Sequence, residues 1–182
     1  MTLPSPHHPH LLASFLLLVA ALGTPVHGQE PGPVDPADVA SPDAVIAALY
    51  ASISGPAGQA LDWDRFRSLF VPGARLIPTG PRPDGSLGHS VMSVEEYATQ
   101  IGPQLEQRDF FEDEIGHRQD RFGEIVQRFS AYASREAPGA EPFTRGVNSI
   151  QLWTDGARWY VVTVMWTAER PGLTIPREYV GG

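Results

Sequence analysis

The sequence predicts an α+β fold, with helices in the first half and long antiparallel strands in the second. Three observations predict it. Apolar residues recur at helical spacing only before about residue 105. From Phe110 onward the pattern alternates with a period of two. The last strand candidate is apolar on both faces, so both sides of the sheet need cover. Runs of helix followed by runs of strand place the helices together on one side of an antiparallel sheet.

The first helix is expected in SPDAVIAALYASISG, with Ser41 as cap and Pro42 in the first turn. Val45, Leu49 and Ile53 form its apolar side, with Ile46 and Tyr50 adjacent, and Gly55-Pro56 stops it. DWDRFRSLF gives a second helix, capped by Asp62, with Trp63, Phe66, Leu69 and Phe70 on one face and Val71-Pro72-Gly73 ending it. ARLIP and HSVM are short strand candidates either side of the turn-rich loop TGPRPDGSLG. Ser93 and Glu96 have capping-box spacing, and Met92 with Tyr97 can form a hydrophobic staple. The third helix then places Tyr97, Ile101 and Leu105 on one side, kinked at Gly102-Pro103.

FEDEIGHRQDRFG and EIVQRFSAYASRE read as two strands joined at Gly123. The second puts Val126, Arg128, Ser130, Tyr132 and Ser134 on one face and Ile125, Gln127, Phe129, Ala131 and Ala133 on the other. RGVNSIQLWTDGARWYVVTVMWTAE is a hairpin turning at Asp155-Gly156. Unbroken alternation in its second arm groups Tyr160, Val162, Val164 and Trp166 against Trp159, Val161, Thr163 and Met165.

The ends and the composition bound the function. Residues 1–28 read as a secretory signal peptide: the apolar run Leu11–Leu22 is shorter than the ~20 residues that span a bilayer, and Val26 and Gly28 suit cleavage before Gln29. The short run and the break at Gly23 and Pro25 argue against an uncleaved anchor, so no stable membrane insertion is expected after cleavage. The Pro-rich segment 29–41 reads as a flexible tether and 42–180 as the folded domain. The expected location is exported, periplasmic or extracellular.

Cysteine is absent, which excludes disulfides, thiolate metal sites and a lipidated leader junction. Lysine is absent too, which excludes Schiff-base chemistry and a lysine phosphate loop. A formal charge of -8 without a basic cluster argues against nucleic acid as a partner. No metal site is expected, because His89 and His117 lie far apart without ligand spacing. No cofactor fingerprint occurs either: TGPRPDGSLG is neither a phosphate loop nor a dinucleotide turn.

On RFGEIVQRFSAYASR, RGVNSIQLWTDGARWYVVTVMWTAE and IPREY, the chain resembles the NTF2-like (SnoaL-like) superfamily, in particular a secreted subgroup of unknown function. The resemblance spans about residues 42–179 and is most specific in the C-terminal half. It implies a cone-shaped fold: a curved mixed or antiparallel sheet, with three helices from the N-terminal half packed on its concave face over a cavity. It also implies pairing of two copies through the outer sheet face. Such folds host isomerases, cyclases, dehydratases and non-catalytic binding or association domains, so the fold leaves the activity open.

The chemistry-bearing candidates are His117, Arg128 and Tyr132 for proton transfer and oxyanion stabilisation, with a structural role for each as the plainer alternative. Trp63, Ser149, Gln151 and Trp166 are candidate ligand contacts, set against packing and local bonding. The acidic run Glu112–Glu114 reads as an exposed strand entrance. The leading expectation is an exported domain that binds a small, largely apolar molecule in its cone. The alternatives are a cofactor-independent lyase or isomerase and a non-catalytic dimeric association domain.

Overall fold

The structure is a computed structural model that describes residues 34–180. The expected leader and the start of the tether lie outside the described residues. The rest of the expected tether is not free chain. Pro36–Val39 forms a 3-10 turn capped by Asp35, Val39 is buried in the core, and Asp38 receives the Arg65 guanidinium at 2.7 and 2.8 Å. That hydrogen-bonded pairing holds the Asp38 carboxyl below its usual range. The folded body therefore includes residues 35–41 as well as those from Pro42 on, because one apolar side chain and one ion pair suffice to dock the segment.

Helix α1 (Pro42–Ser52) starts as expected, with Ser41 Oγ accepting from Ala44 N–H and Pro42 in the first turn. It buries Val45, Ile46, Leu49 and Tyr50. Helix α2 (Trp63–Ser68) is capped by Asp62, whose carboxylate accepts from Arg65 N–H. Strand β1 (Phe70–Pro81) is longer than the expected ARLIP segment. Val71-Pro72-Gly73 does not separate helix from strand. It forms an irregularity inside β1, where pairing jumps from Phe70 to Arg75 and Gly73 takes a φ of 82°.

Strand β2 (Leu87–His89) folds back on β1, earlier than HSVM suggested, and Met92 makes an isolated bridge to Leu76. Helix α3 (Val94–Gln100) opens on the expected capping box. The expected kink is a full break: α4 (Gly102–Glu106) is a separate turn of helix, started by Pro103.

Strands β3 (Phe111–Phe122), β4 (Ile125–Arg135), β5 (Thr144–Thr154) and β6 (Trp159–Ala168) complete one six-stranded sheet of order β2-β1-β6-β5-β4-β3. The sheet is mixed because β1 runs parallel to β6. On β4 the expected grouping into two faces holds, and the inward set is Val126, Arg128, Ser130, Tyr132 and Ser134, all buried.

Two bulges change which residues face inward elsewhere. Between Glu114 and Gly116 the β3–β4 register slips by one residue at Ile115, and between Val161 and Thr163 the same happens at Val162. Unbroken alternation in β6 therefore fails: Trp159, Val161 and Val164 are all buried, whereas Met165 is 41% exposed. On the outer face the C-terminal 3-10 turn Arg177–Tyr179 lies over the sheet, with the Tyr179 ring stacked on Phe129 at 5.5 Å.

Candidate functional site

The concave side of the sheet carries two depressions, divided by Tyr50 of α1. Its hydroxyl meets Ser130 Oγ at 2.7 Å and accepts from Asn148 Nδ2 at 2.9 Å. Ser130 sits between Arg128 and Tyr132 on one face of β4, so this contact separates those two side chains. Tyr50 lines both depressions. Burial raises its hydroxyl pKa above the usual tyrosine range, so the group stays a neutral bridge.

The first depression is an open cleft between α1, β3 and the β4–β5 loop, and it holds Arg128 and His117. Arg128 is saturated. Its Nε donates to Glu114 Oε1 at 2.9 Å, Nη1 donates to Asp43 at 2.6 Å and Gln119 at 3.1 Å, and Nη2 donates to the second Glu114 oxygen and to His117 Nδ1. A guanidinium has five N–H donors, and all are engaged. His117 Nδ1 lies 3.0 Å from Arg128 Nη2 and 3.3 Å from Glu114 Oε2, so the imidazole joins the same cluster. The arginine hydrogen bond also lowers the Asp43 carboxyl below its usual range. This cluster ties α1 to β3 and β4 and leaves Arg128 no donor for a ligand. Tyr132 lies beyond Tyr50, so the expected grouping of His117, Arg128 and Tyr132 at one site does not form.

The second depression is a cavity of about 280 Å³ inside the cone. Its walls are mainly apolar and aromatic, including Leu49, Phe66, Leu76, Met92, Val164 and Trp166. Tyr97 from α3 meets the Trp166 ring edge-on at 6.1 Å. Four polar side chains of interest face it: Tyr97, Glu112, Tyr132 and Asn148. Asn148 is committed to Tyr50.

The Tyr97 and Tyr132 hydroxyls have no hydrogen-bond partner among the described residues. Neither is sealed, since Arg158 Nε is the one fully buried side-chain polar atom without a partner there. Both residues line the cavity. Burial, with the nearby Glu112 charge, raises both above the usual tyrosine pKa, so they are O–H donors at neutral pH.

Glu112 stands where cavity and cleft meet. Ser134 Oγ donates to it at 2.7 Å. Burial pushes its carboxyl up to about 7, against the stabilising Ser134 bond and with a further push from Asp113. The residue read as part of an exposed strand entrance is thus the inward-facing acid of the site.

The other ligand candidates divide. Trp166 lines the cavity. Trp63 does not: its indole N–H donates to Glu106 at 2.9 Å, and its ring packs edge-on against Phe66 and Tyr97 from behind. Ser149 and Gln151 point to the outer face, where Ser149 accepts from Gln127. The inward positions of β5 are Asn148, Ile150 and Leu152, all buried. Neither Ser149 nor Gln151 reaches the cavity.

A curved mixed sheet wrapped on helices, hollow between the two layers, defines a pocket-forming α+β domain. Its fold is that of the NTF2-like (SnoaL-like) proteins. No protein-family model matches the sequence, and neither does any curated protein. Solved structures do resemble it. A chain from Thiobacillus denitrificans, named for the association domain of calcium/calmodulin-dependent protein kinase type II, aligns with a TM-score of 0.54 at 13% identity, over 76% of this chain and 99% of that one. A protein of unknown function with a cystatin-like fold from Nostoc punctiforme gives a TM-score of 0.51 at 10% identity, over 68% and 84%. An NTF2-like protein of unknown function from Shewanella baltica gives 0.42 at 13% identity, over 69% and 91%. At these identities the likeness is one of fold.

Proposed function

We propose that this domain binds a small, largely apolar molecule in the cone cavity and anchors it through one oxygen function. The observation that carries the reading is the pair of tyrosines, Tyr97 and Tyr132, whose hydroxyls have no hydrogen-bond partner among the described residues and which line a cavity with mainly apolar and aromatic walls. Buried polar groups left without partners are costly, and a ligand oxygen would satisfy them. The volume suits a ligand smaller than most drugs. Phenylbutanol is a suitable probe, its ring matching the aromatic walls and its hydroxyl the tyrosines. Calorimetry on the purified protein is expected to show saturable binding, abolished by filling the space with Val164→Phe. Thr144→Phe, nearer the cavity rim, serves where the first variant loses stability. Absence of binding to the unaltered protein rejects the reading.

A second reading, proton-transfer catalysis, is favoured by Glu112 alone. A carboxyl with a pKa of about 7 beside two tyrosine O–H donors suits removal of a proton α to a carbonyl. Glu112 would take the proton from carbon, the tyrosines would hold the enolate oxygen, and the carboxylic acid would return a proton to carbon. In heavy water the α-protons of phenylacetone would then exchange faster with the protein than with Glu112→Gln. Equal rates reject this reading and leave the binding reading intact.

Export and pairing through the outer sheet face complete the proposal. Ile125, Trp153 and Met165 remain exposed on that face and support a second copy as cover. Trp153→Arg is expected to convert a dimer to a monomer in light scattering.

A further inference from the structure

One cationic side chain borders the cavity, and among the described residues no carboxylate pairs with it. Arg108 follows α4 and lies beside two aromatic rings, its guanidinium carbon 5.3 Å from the Phe110 centroid and 4.9 Å from that of Phe143. All three residues line the cavity, and Arg108 and Phe143 are exposed, which puts them at its entrance. Among the described residues the Arg108 side chain has no hydrogen bond and no ion pair.

The acids nearest in sequence are engaged elsewhere. Asp109 accepts from Ala57 N–H at 2.9 Å, and Glu106 accepts from Leu61 N–H and the Trp63 indole. Among the described residues Arg65, Arg67, Arg128, Arg135 and Arg145 pair with carboxylates and the other arginines do not; what sets Arg108 apart is that it lines this cavity. In a chain of formal charge -8, an unpaired guanidinium fixed by two rings at the mouth of an apolar cavity is a placed charge.

We propose that the ligand class is the small amphipathic carboxylate, its apolar body inside the cone and its carboxylate at Arg108. The proposal rests on the binding reading above and narrows it. An arginine fork matches the two oxygens of a carboxylate, and stacking on Phe110 and Phe143 limits the orientations open to the guanidinium. Among the described residues Glu112 is the only carboxylate lining the same cavity. It is mostly protonated at pH 6, where a bound carboxylate remains ionised and meets little repulsion.

The test is calorimetry at pH 6 and low salt with the matched pair phenylbutyrate and phenylbutanol. Phenylbutyrate is expected to bind about tenfold more tightly, the scale of one charge-assisted hydrogen bond. Arg108→Gln is expected to remove that preference, lowering phenylbutyrate affinity about tenfold more than phenylbutanol affinity. Arg108→Lys is expected to retain part of it. Equal affinity for acid and alcohol in the unaltered protein overturns the proposal, as does a preference that survives in Arg108→Gln. If alcohol and acid both fail to bind, the binding reading itself fails. Binding of the alcohol without a preference for the acid rejects only the role given to Arg108.

Discussion

Arg128 and Glu112 lie on neighbouring strands of one sheet face, the first buried and the second half-buried, yet they are treated in opposite ways. Arg128 meets an acceptor at every donor, and its partners come from α1 and β3. Glu112 has a single side-chain donor, Ser134, and its carboxyl rises to about 7. The first arrangement is closed and holds elements together. The second is under-satisfied and leaves hydrogen-bonding capacity for something from outside. Saturation, rather than residue type, separates structural charge from available charge, although arginine and histidine are the more conspicuous residues in the sequence.

The comparison predicts its largest effect at Arg128. Removing one member of a buried charge cluster strands the others, so Arg128→Met is expected to cost about 3–5 kcal/mol in denaturant unfolding. The double variant Arg128→Met, Glu114→Met should recover much of that loss, because the one carboxylate then left without its partner, Asp43, is 78% exposed. If Arg128→Met left stability unchanged but abolished phenylbutanol binding, the two roles would have to be exchanged.

Glu112 should behave in the opposite sense. Its folded-state pKa of about 7 lies above the ordinary glutamate value, so the folded state binds the proton more tightly than the unfolded chain does. That contribution is fully present below the unfolded pKa and fades as pH rises through about 7. Glu112→Gln, which keeps an acceptor for Ser134, removes this penalty. The variant is expected to match the parent near pH 4 and to exceed it by about 2 kcal/mol near pH 8, on the scale of 1.36 kcal/mol per pKa unit discounted for partial exposure. Paired melting curves at the two pH values check it, and equal stability of the two proteins at pH 8 would show Glu112 to be as well satisfied as Arg128.

Much of this frame was legible from local rules. The Ser41 cap, the Ser93–Glu96 box, the Gly123 and Asp155-Gly156 turns and the two-face grouping of β4 all depend on residues within a few positions of each other. The acid of the site was not legible, for a definite reason. Counting back from the turn, Phe122 pairs with Ile125 and Gly116 with Ala131. Continued without a slip, that register would set Asp113 opposite Ser134. The bulge at Ile115 shifts the pairing by one, so Glu112 faces Ser134 and turns inward while Asp113 turns out. The bulge at Val162 likewise defeated a simple reading of β6. Bulges arise from how whole strands meet, and no short motif announced either one. Ser149 and Gln151 were a separate difficulty: alternation placed them on one face together but could not say which face was concave.

The finest test of the comparison uses two tyrosines that differ mainly in their partners. Tyr50 and Tyr132 are both buried, at 5% and 4% exposure, and both line the cavity. The Tyr50 hydroxyl links Ser130 and Asn148, whereas the Tyr132 hydroxyl links nothing among the described residues. Tyr50→Phe should therefore cost about 1–2 kcal/mol, since it leaves a buried amide and a buried serine short of a partner. Tyr132→Phe should fall within about 0.5 kcal/mol of the parent, because no internal bond is lost. With phenylbutanol the contrast should favour Tyr132: its phenylalanine variant loses affinity, while Tyr50→Phe retains it once the protein is folded. Measuring stability and binding on the same two variants separates an oxygen that holds the fold from one that awaits a ligand. A stability loss at Tyr132 equal to that at Tyr50 would mean that its hydroxyl is already satisfied and that the cavity has one anchor fewer.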